Sequence, residues 1–292
     1  MRTRLIESAP ALSLALTAFS CWVVGIAHTA TYRTLVTGDE QTALRSVSPL
    51  DGVWFAVGIL GILGTHELGH WCAARRHGVA VSPPLFIPGP TFAGTFGAFM
   101  RLRERPRTRR CAFDIAAAGP LAGFAALLPV LWAGVALSAS APLEALDTAR
   151  AIGHPALLQA AVALVHGPIR DGHAIALHPL ATAAWIGMLL TALNLFSAGQ
   201  LDGGHIAHAL LSRAWARASG LTATTAAALL STESGVWIAW TLVTSVMTFT
   251  NWNATPWNEP PAAVDISRRL VAGALAITLA LCFTPVPLGP VR

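Results

Sequence analysis

The stretch GILGTHELGHWC, Gly61–Cys72, places two histidines and a glutamate inside an apolar run that extends from residue 52 to residue 74. A run of this length can form a helix that spans a bilayer, which needs about 20 mostly apolar residues. Ionisable groups are costly there, so their presence in an apolar helix indicates a function. The alternative is a set of polar residues satisfied by hydrogen bonds between packed helices.

The composition of the whole chain is that of a membrane protein. Of the 292 residues, 54% are hydrophobic and only 11% are charged, whereas a soluble domain carries about 25% charged residues. We therefore predict an all-α polytopic membrane protein with about seven transmembrane helices. The candidate spans are residues 11–30, 52–74, 112–138, 180–196, 221–230, 235–250 and 269–282.

The distribution of arginines predicts the orientation of these helices. If the N-terminus is cytoplasmic and the spans alternate, fourteen of the nineteen arginines fall on the cytoplasmic side, as the positive-inside rule requires. The HELGH end of its helix is then cytoplasmic as well. Six arginines in RLRERPRTRR, residues 101–110, are interpreted as an anchor for lipid headgroups. The net charge of +5 thus indicates the lipid bilayer as a partner, and no nucleic acid is expected.

The segment that follows the HELGH helix does not have a helical pattern. VSPPLFIPGP is too rich in proline for a helix, and GTFGAFM, Gly94–Met100, has aromatic residues at alternate positions. We predict a short membrane-associated β-hairpin or re-entrant loop near residues 82–100. Such backbone is tolerated at membrane depth only where protein or a cavity covers it.

The five residues HELGH fit the pattern H-E-x-x-H. On a helix, His66 and His70 share one face, so both imidazoles can bind one zinc ion. Glu67 is then placed to take a proton from a zinc-bound water molecule. Catalytic zinc sites usually have three protein ligands and an open position, so a further ligand must come from another segment.

Asp202 is the candidate for that third ligand. It lies in NLFSAGQLDGGH, at the predicted cytoplasmic end of the fourth candidate span and therefore at the depth of the two histidines. Gly199, Gly203 and Gly204 would let the backbone break and turn the carboxylate inward. Taken alone, LDGG would be an ordinary turn. The ligand role of Asp202 is favoured because this segment lies at the same predicted depth as HELGH.

Together these two segments resemble the signatures of the site-2 protease family of intramembrane zinc metalloproteases, peptidase family M50. HELGHWCAARRHGVAVSPPLFIP, GTFGAF and FDIAAAGPLAGF are most similar to the bacterial and chloroplast branch without a PDZ domain. The resemblance implies one Zn²⁺ per chain, His66, His70 and Asp202 as ligands, and Glu67 as general base. Asn194 matches the family asparagine, whereas Ser197 stands where the family has proline.

The roles of two further features stay open. Asn194 either contacts the substrate backbone or oxyanion, or makes a hydrogen bond between helices. Gly94, Thr95, Phe96 and Gly97 either pair with an unwound substrate strand or only cover the zinc site.

The family resemblance implies hydrolysis of peptide bonds within or near transmembrane segments. The expected partner is a transmembrane protein such as an anti-sigma factor or a membrane-tethered regulator, and the expected location is a bacterial inner membrane. The alternative is a non-catalytic zinc-binding scaffold or chaperone, against which the intact Glu67 argues. A transporter is a third possibility, but no inverted half is visible.

A single integral membrane domain over residues 1–292 is the predicted organisation. Residues 11–30 are expected to be a retained N-terminal anchor, because AHTA is a poor cleavage site for a signal peptidase. Residues 52–210 are the expected catalytic core, and residues 221–286 supply the C-terminal helices.

Overall fold

A computed structural model describes residues 2–146, 151–250 and 264–289. The described chain is mostly helical, with three short two-stranded antiparallel sheets. The helices are α1 (Arg2–Thr37), α2 (Glu40–Ser46), α3 (Gly52–Arg76), α4 (Arg109–Ala136), α5 (Leu143–Leu146), α6 (Ala156–His166), α7 (Pro179–Asn194), α8 (Asp202–Leu210), α9 (Arg213–Leu230), α10 (Val236–Thr250) and α11 (Ile266–Cys282). The strands are β1 (Leu85–Pro88), β2 (Thr95–Phe99), β3 (Ala139–Pro142), β4 (Ala151–Ile152), β5 (His173–Ala176) and β6 (Leu288–Gly289).

Three helical segments are long and apolar enough to cross a bilayer: Ala9–Thr37, Pro49–Arg76 and Arg109–Ala136. Helices α6, α7 and α10 are apolar but have only 11, 16 and 15 residues. At 1.5 Å per residue, α7 is about 24 Å long, which is less than the ~30 Å hydrocarbon core. The described residues therefore have a mainly helical fold with three candidate membrane spans. The predicted count of seven spans is not confirmed.

Helices α3, α4 and α7 form the centre of the molecule. Phe55 and Ile59 of α3, Leu131 of α4 and Trp185 of α7 are almost completely buried in one apolar cluster. Close approach of the backbones depends on glycine: a Cβ atom at Gly134 would lie 2.3 Å from the backbone nitrogen of Ala181. Small residues at helix contacts give membrane helices the dense packing that stabilises them in lipid.

Strands β1 and β2 form the predicted hairpin. They pair in antiparallel register, and the turn between them includes Gly94 at a φ of 70°. Helix α1 holds this turn: the Ser20 hydroxyl donates to the Gly89 carbonyl at 3.1 Å, and His28 Nε2 donates to the Phe92 carbonyl at 2.8 Å. The hairpin is thus packed beside α1.

The region between α4 and α7 is more ordered than the sequence predicted. It contains the short helix α6. Strands β3 and β5, which the sequence analysis did not predict, pair with each other in antiparallel register. Helix α9 begins at Arg213, eight residues before the predicted start at Leu221, because the Ser212 side chain accepts a hydrogen bond from the Trp215 backbone and caps the helix.

Candidate metal centre

His66 and His70 lie one turn apart on α3 and are both buried, with 7% of each residue exposed. Their Nε2 atoms are 3.0 Å apart, because the helical repeat places residues i and i+4 on the same face. Two imidazole nitrogens so close together in a buried place have the arrangement of ligands to a common cation.

Asp202 completes the group from a different element. Its Oδ2 lies 3.2 Å from His66 Nε2, and its Oδ1 lies 3.3 Å from His70 Nε2. Among the residues that the structure describes, these three side chains are the one group of three or more His, Cys, Asp or Glu whose ligand atoms converge. The structure therefore brings together the three residues that the sequence analysis selected.

The spacing of the donor atoms is short enough for one zinc ion. Zinc binds histidine nitrogen and carboxylate oxygen at about 2.0–2.2 Å, and tetrahedral angles then separate any two ligand atoms by about 3.3 Å. The two Nε2 atoms are 3.0 Å apart, and each has a different Asp202 oxygen at 3.2 or 3.3 Å, so these separations are close to that value. Two histidines and one carboxylate are also a common ligand set of catalytic zinc.

Helix α4 fixes the tautomer of His70. The Nδ1 atom of His70 lies 2.7 Å from the carbonyl oxygen of Ile115. A carbonyl can only accept, so Nδ1 carries a hydrogen, and in the neutral imidazole Nε2 is then the nitrogen with the lone pair that can bind a metal. A histidine that binds metal typically donates its other ring N–H to a carbonyl or carboxylate in this way, which also orients the ring.

Two glycines of α4 pack directly against the histidine pair. A Cβ atom at Gly119 would lie 2.1 Å from His70 Nε2, and one at Gly123 would lie 3.0 Å from His66 Cβ. The structure shows that the surface packed against these glycines is the pair of imidazoles itself.

A tight turn between α7 and α8 delivers Asp202. Helix α7 ends at Asn194, and Asp202 is the first residue of α8. Gly199 has a φ of 48°, and a Cβ atom there would lie 1.9 Å from the Met247 carbonyl oxygen. At Gly203 it would lie 2.0 Å from the carbonyl oxygen of Leu195. The predicted break in the backbone is present, and it separates two helices rather than interrupting one.

Glu67 and Asn194 are the other candidate residues of the site. Glu67 is 6% exposed and lies on α3 between the two histidines. Asn194 is half-buried at the end of α7. No hydrogen bond joins the Asn194 side chain to the described part of the chain, so the structure does not show the hydrogen bond between helices that was one of its two possible roles.

The hairpin runs beside α3 at the level of the histidines. A Cβ atom at Gly64, two residues before His66, would lie 4.0 Å from the Phe86 ring of β1. In β2 the Thr95 hydroxyl donates to the Ile87 carbonyl at 2.7 Å, and Phe96 is 64% exposed. Gly94 and Gly97 both have positive φ, 70° and 106°.

Comparison with known proteins assigns the family. The model of "Peptidase family M50" matches residues 54–233, which include both histidines, Glu67, Asn194 and Asp202. The chain belongs to peptidase family M50. The match confirms the family resemblance seen in the sequence, and it extends from α3 through α9.

Several curated chloroplast proteins are similar to this M50 chain. It is 37% identical over 165 residues to the "Probable zinc metalloprotease EGY2, chloroplastic" of Oryza sativa subsp. indica, an overlap of 56% of the chain and 30% of the relative. It is 36% identical over 153 residues to the EGY1 protein of Arabidopsis thaliana, 51% of the chain and 28% of the relative. The chain spans about a third of the length of these relatives, and no solved structure matches it.

Proposed function

We propose that this chain is an intramembrane zinc metalloprotease that hydrolyses peptide bonds within or near transmembrane segments. The observation that carries the proposal is the convergence of the His66, His70 and Asp202 ligand atoms, with the buried Glu67 next to His66 in the sequence of α3. The printed names of the relatives, which call them probable zinc metalloproteases, support the same function.

Each residue has a defined role in this proposal. His66, His70 and Asp202 would hold one Zn²⁺. The ion would supply Lewis acidity, which lowers the pKa of a water molecule and polarises the scissile carbonyl. Glu67 takes the proton of that water and later gives it to the leaving amine. Asn194, whose amide is not engaged by the described chain, donates to the substrate backbone or to the oxyanion.

The hairpin would hold the substrate in extended form. A helical substrate hides its carbonyls in hydrogen bonds to the residues four positions later, so it must unwind before attack. A strand edge can bind such a segment by β-augmentation. Support for this role of residues 94–97 comes from the position of β1 beside Gly64, level with the histidines.

The family and the arginine pattern support proposals for the substrate, the location and the organisation of the chain. We infer a transmembrane protein substrate, such as an anti-sigma factor or a membrane-tethered regulator. The proposed location is a bacterial inner membrane, with the N-terminus and the site toward the cytoplasm. In this organisation residues 52–210 are the catalytic core of a single integral domain, between an anchor at residues 11–30 and C-terminal helices at residues 221–286.

The test compares wild type with Glu67→Gln in liposomes that contain a fluorescent single-span substrate. The wild type is expected to bind about one zinc per chain and to cut the substrate. Glu67→Gln is expected to keep the zinc and to lose at least a thousandfold in cleavage rate, because the proton acceptor is gone. Zinc binding by a wild type that cuts none of a panel of single-span substrates would favour the scaffold alternative.

A further inference from the structure

The Arg109 side chain is a buried cation that the proposed chemistry does not use. It lies in the arginine-rich segment that the sequence analysis assigned to lipid headgroups, yet only 4% of the residue is exposed. For this arginine the headgroup prediction is wrong. The physical reason is that Arg109 is the first residue of α4, and its side chain is directed to the end of α8 instead of to the membrane surface.

The guanidinium of Arg109 binds the C-terminal end of α8. Its Nη1 atom donates to the carbonyls of His208, Ala209 and Leu211 at 2.8, 3.1 and 3.1 Å. The last carbonyls of a helix have no partner within the helix, and a positive charge at this end is favourable to the helix dipole. Arg109 therefore caps α8 from a neighbouring helix.

Helix α8 has only nine residues, and Asp202 is the first of them. Its apolar side, including Ile206 and Ala209, packs against Ala112 and Ala116 of α4. The hydrogen bonds of Arg109 add directional polar contacts at the C-terminal end of α8 to this apolar packing.

The lengths of the two helices agree with this arrangement. From Leu210 to Asp202 the rise along α8 is about 12 Å, and from Arg109 to the Ile115–Gly119 segment of α4 it is about 9–15 Å. Helix α4 therefore contacts the C-terminal end of α8 through Arg109. About one α8 length further along, at Ile115–Gly119, it contacts His70. A shift of α8 by one residue, about 1.5 Å, would remove the Asp202 carboxylate from the ligand triangle.

We infer that Arg109 is a positioning residue for the third metal ligand: by fixing the C-terminal end of α8, it sets the place of Asp202 at the other end. This inference rests on the proposed zinc function and deepens it. Loss of the fixed position is expected to weaken zinc binding by about 10–100-fold, the range typical of residues that orient metal ligands.

The experiment measures zinc affinity in detergent with a competing chelator for Arg109→Lys and for the matched control Arg110→Lys. Arg110 is the adjacent residue and is exposed. Arg109→Lys keeps the charge, but the lysine ammonium ends one bond short of the position of Nη1, the atom that reaches the three carbonyls, so zinc should bind at least tenfold more weakly. Arg110→Lys should stay within twofold of wild type. Arg109→Gln is a second variant, expected to bind at least as weakly as Arg109→Lys, in case the lysine variant does not fold.

A double-mutant cycle with Asp202→Ala separates positioning from a general structural role. If Arg109 acts through Asp202, Arg109→Lys has no further effect on zinc affinity once Asp202 is absent. In the cobalt-substituted protein, the tetrahedral absorption bands should weaken in Arg109→Lys and stay unchanged in Arg110→Lys.

Unchanged zinc affinity in Arg109→Lys, or an equal loss with and without Asp202, would overturn the inference. The proposed zinc site would stand in both cases, provided that Asp202→Ala binds zinc more weakly than wild type. A wild type that binds no zinc would overturn the proposed function, and the role of Arg109 with it.

Discussion

His70 donates its Nδ1 hydrogen to the carbonyl oxygen of Ile115 at 2.7 Å, across the contact between α3 and α4. This bond ties the imidazole ring, whose Nε2 faces the metal group, to the backbone of a different helix. The orientation of one ligand therefore depends on how closely α4 approaches α3. Gly119, one turn after Ile115, is the residue that permits this approach.

We expect Gly119→Ala to weaken zinc binding at least tenfold. The new Cβ atom would lie 2.1 Å from His70 Nε2, so the ring must rotate or α4 must move away. Alanine is the better helix former by roughly 0.5–1 kcal/mol, so reduced helix propensity cannot explain a loss. Competition with a chelator gives the affinity, and circular dichroism in detergent checks that the helices persist.

Two other glycines provide graded controls for this substitution. Gly123→Ala should have a smaller effect. Its Cβ atom would lie 3.0 Å from His66 Cβ, so His66 needs to move by only a few tenths of an ångström. Gly61→Ala on α3 should have none, because nothing lies within 4 Å of the new atom. Equal affinities in all three variants would show that the packing of α4 does not set the geometry of the site.

Zinc removal should lower the thermal stability of the wild type but not that of Asp202→Ala. A ligand that binds only the folded state at 100 times its Kd stabilises it by about 2.7 kcal/mol. Because the ligand atoms of α3 and α8 converge, bound zinc would join these helices. Melting curves in detergent with and without a chelator measure the effect. A chelator-induced decrease in Tm that is as large in Asp202→Ala would point to a different ligand.

The sequence predicts this group of side chains well for two reasons. Two of its members are close together in sequence, and ionisable side chains are costly, and therefore rare, in apolar helices. HELGH places two candidate ligands on one helix face by spacing alone. An aspartate followed by two glycines, at the same predicted depth as those histidines, is rare in an apolar chain. Few other charged residues lie near the apolar runs, so the search for Asp202 has few competitors. The hairpin near residues 82–100 is predictable for a similar reason, since its prolines exclude a helix.

Other features depend on contacts that no local pattern contains. In RLRERPRTRR nothing distinguishes Arg109 from its neighbours, and its burial follows from where α8 ends in space. Strands β3 and β5 contain alanine, serine and histidine without a clear apolar alternation, and they form because the two segments meet. Helices α7 and α10 lie close to the predicted segments 180–196 and 235–250, but with 16 and 15 residues they are shorter than the about 20 residues that a span needs.

Strand addition predicts that Gly97→Pro abolishes cleavage while zinc binding is retained. Gly97 has a φ of 106°, and its N–H donates to the Thr95 hydroxyl at 2.9 Å. Proline fixes φ near −65° and has no N–H, so β2 would be distorted where the substrate is expected to pair. Gly172→Pro, at another glycine of positive φ with nothing within 4 Å of a new Cβ, serves as the control. Normal cleavage by Gly97→Pro with bound zinc would exclude strand addition at β2.

Helix α1 is expected to keep the hairpin in place through its contacts with the turn. His28 Nε2 donates to the Phe92 carbonyl at 2.8 Å, and the His28 ring also packs on Phe55 of α3 with centroids 4.6 Å apart. His28→Phe keeps the ring packing and removes only the hydrogen bond, so it should increase amide hydrogen exchange in residues 89–95 and leave zinc affinity unchanged. Thr31→Val is a matched control on the same helix, because Thr31 bonds only within α1, to Ala27. If exchange in the turn is the same in His28→Phe and in wild type, the His28 hydrogen bond does not hold the hairpin, and the remaining contacts of Ser20 and Cys21 suffice.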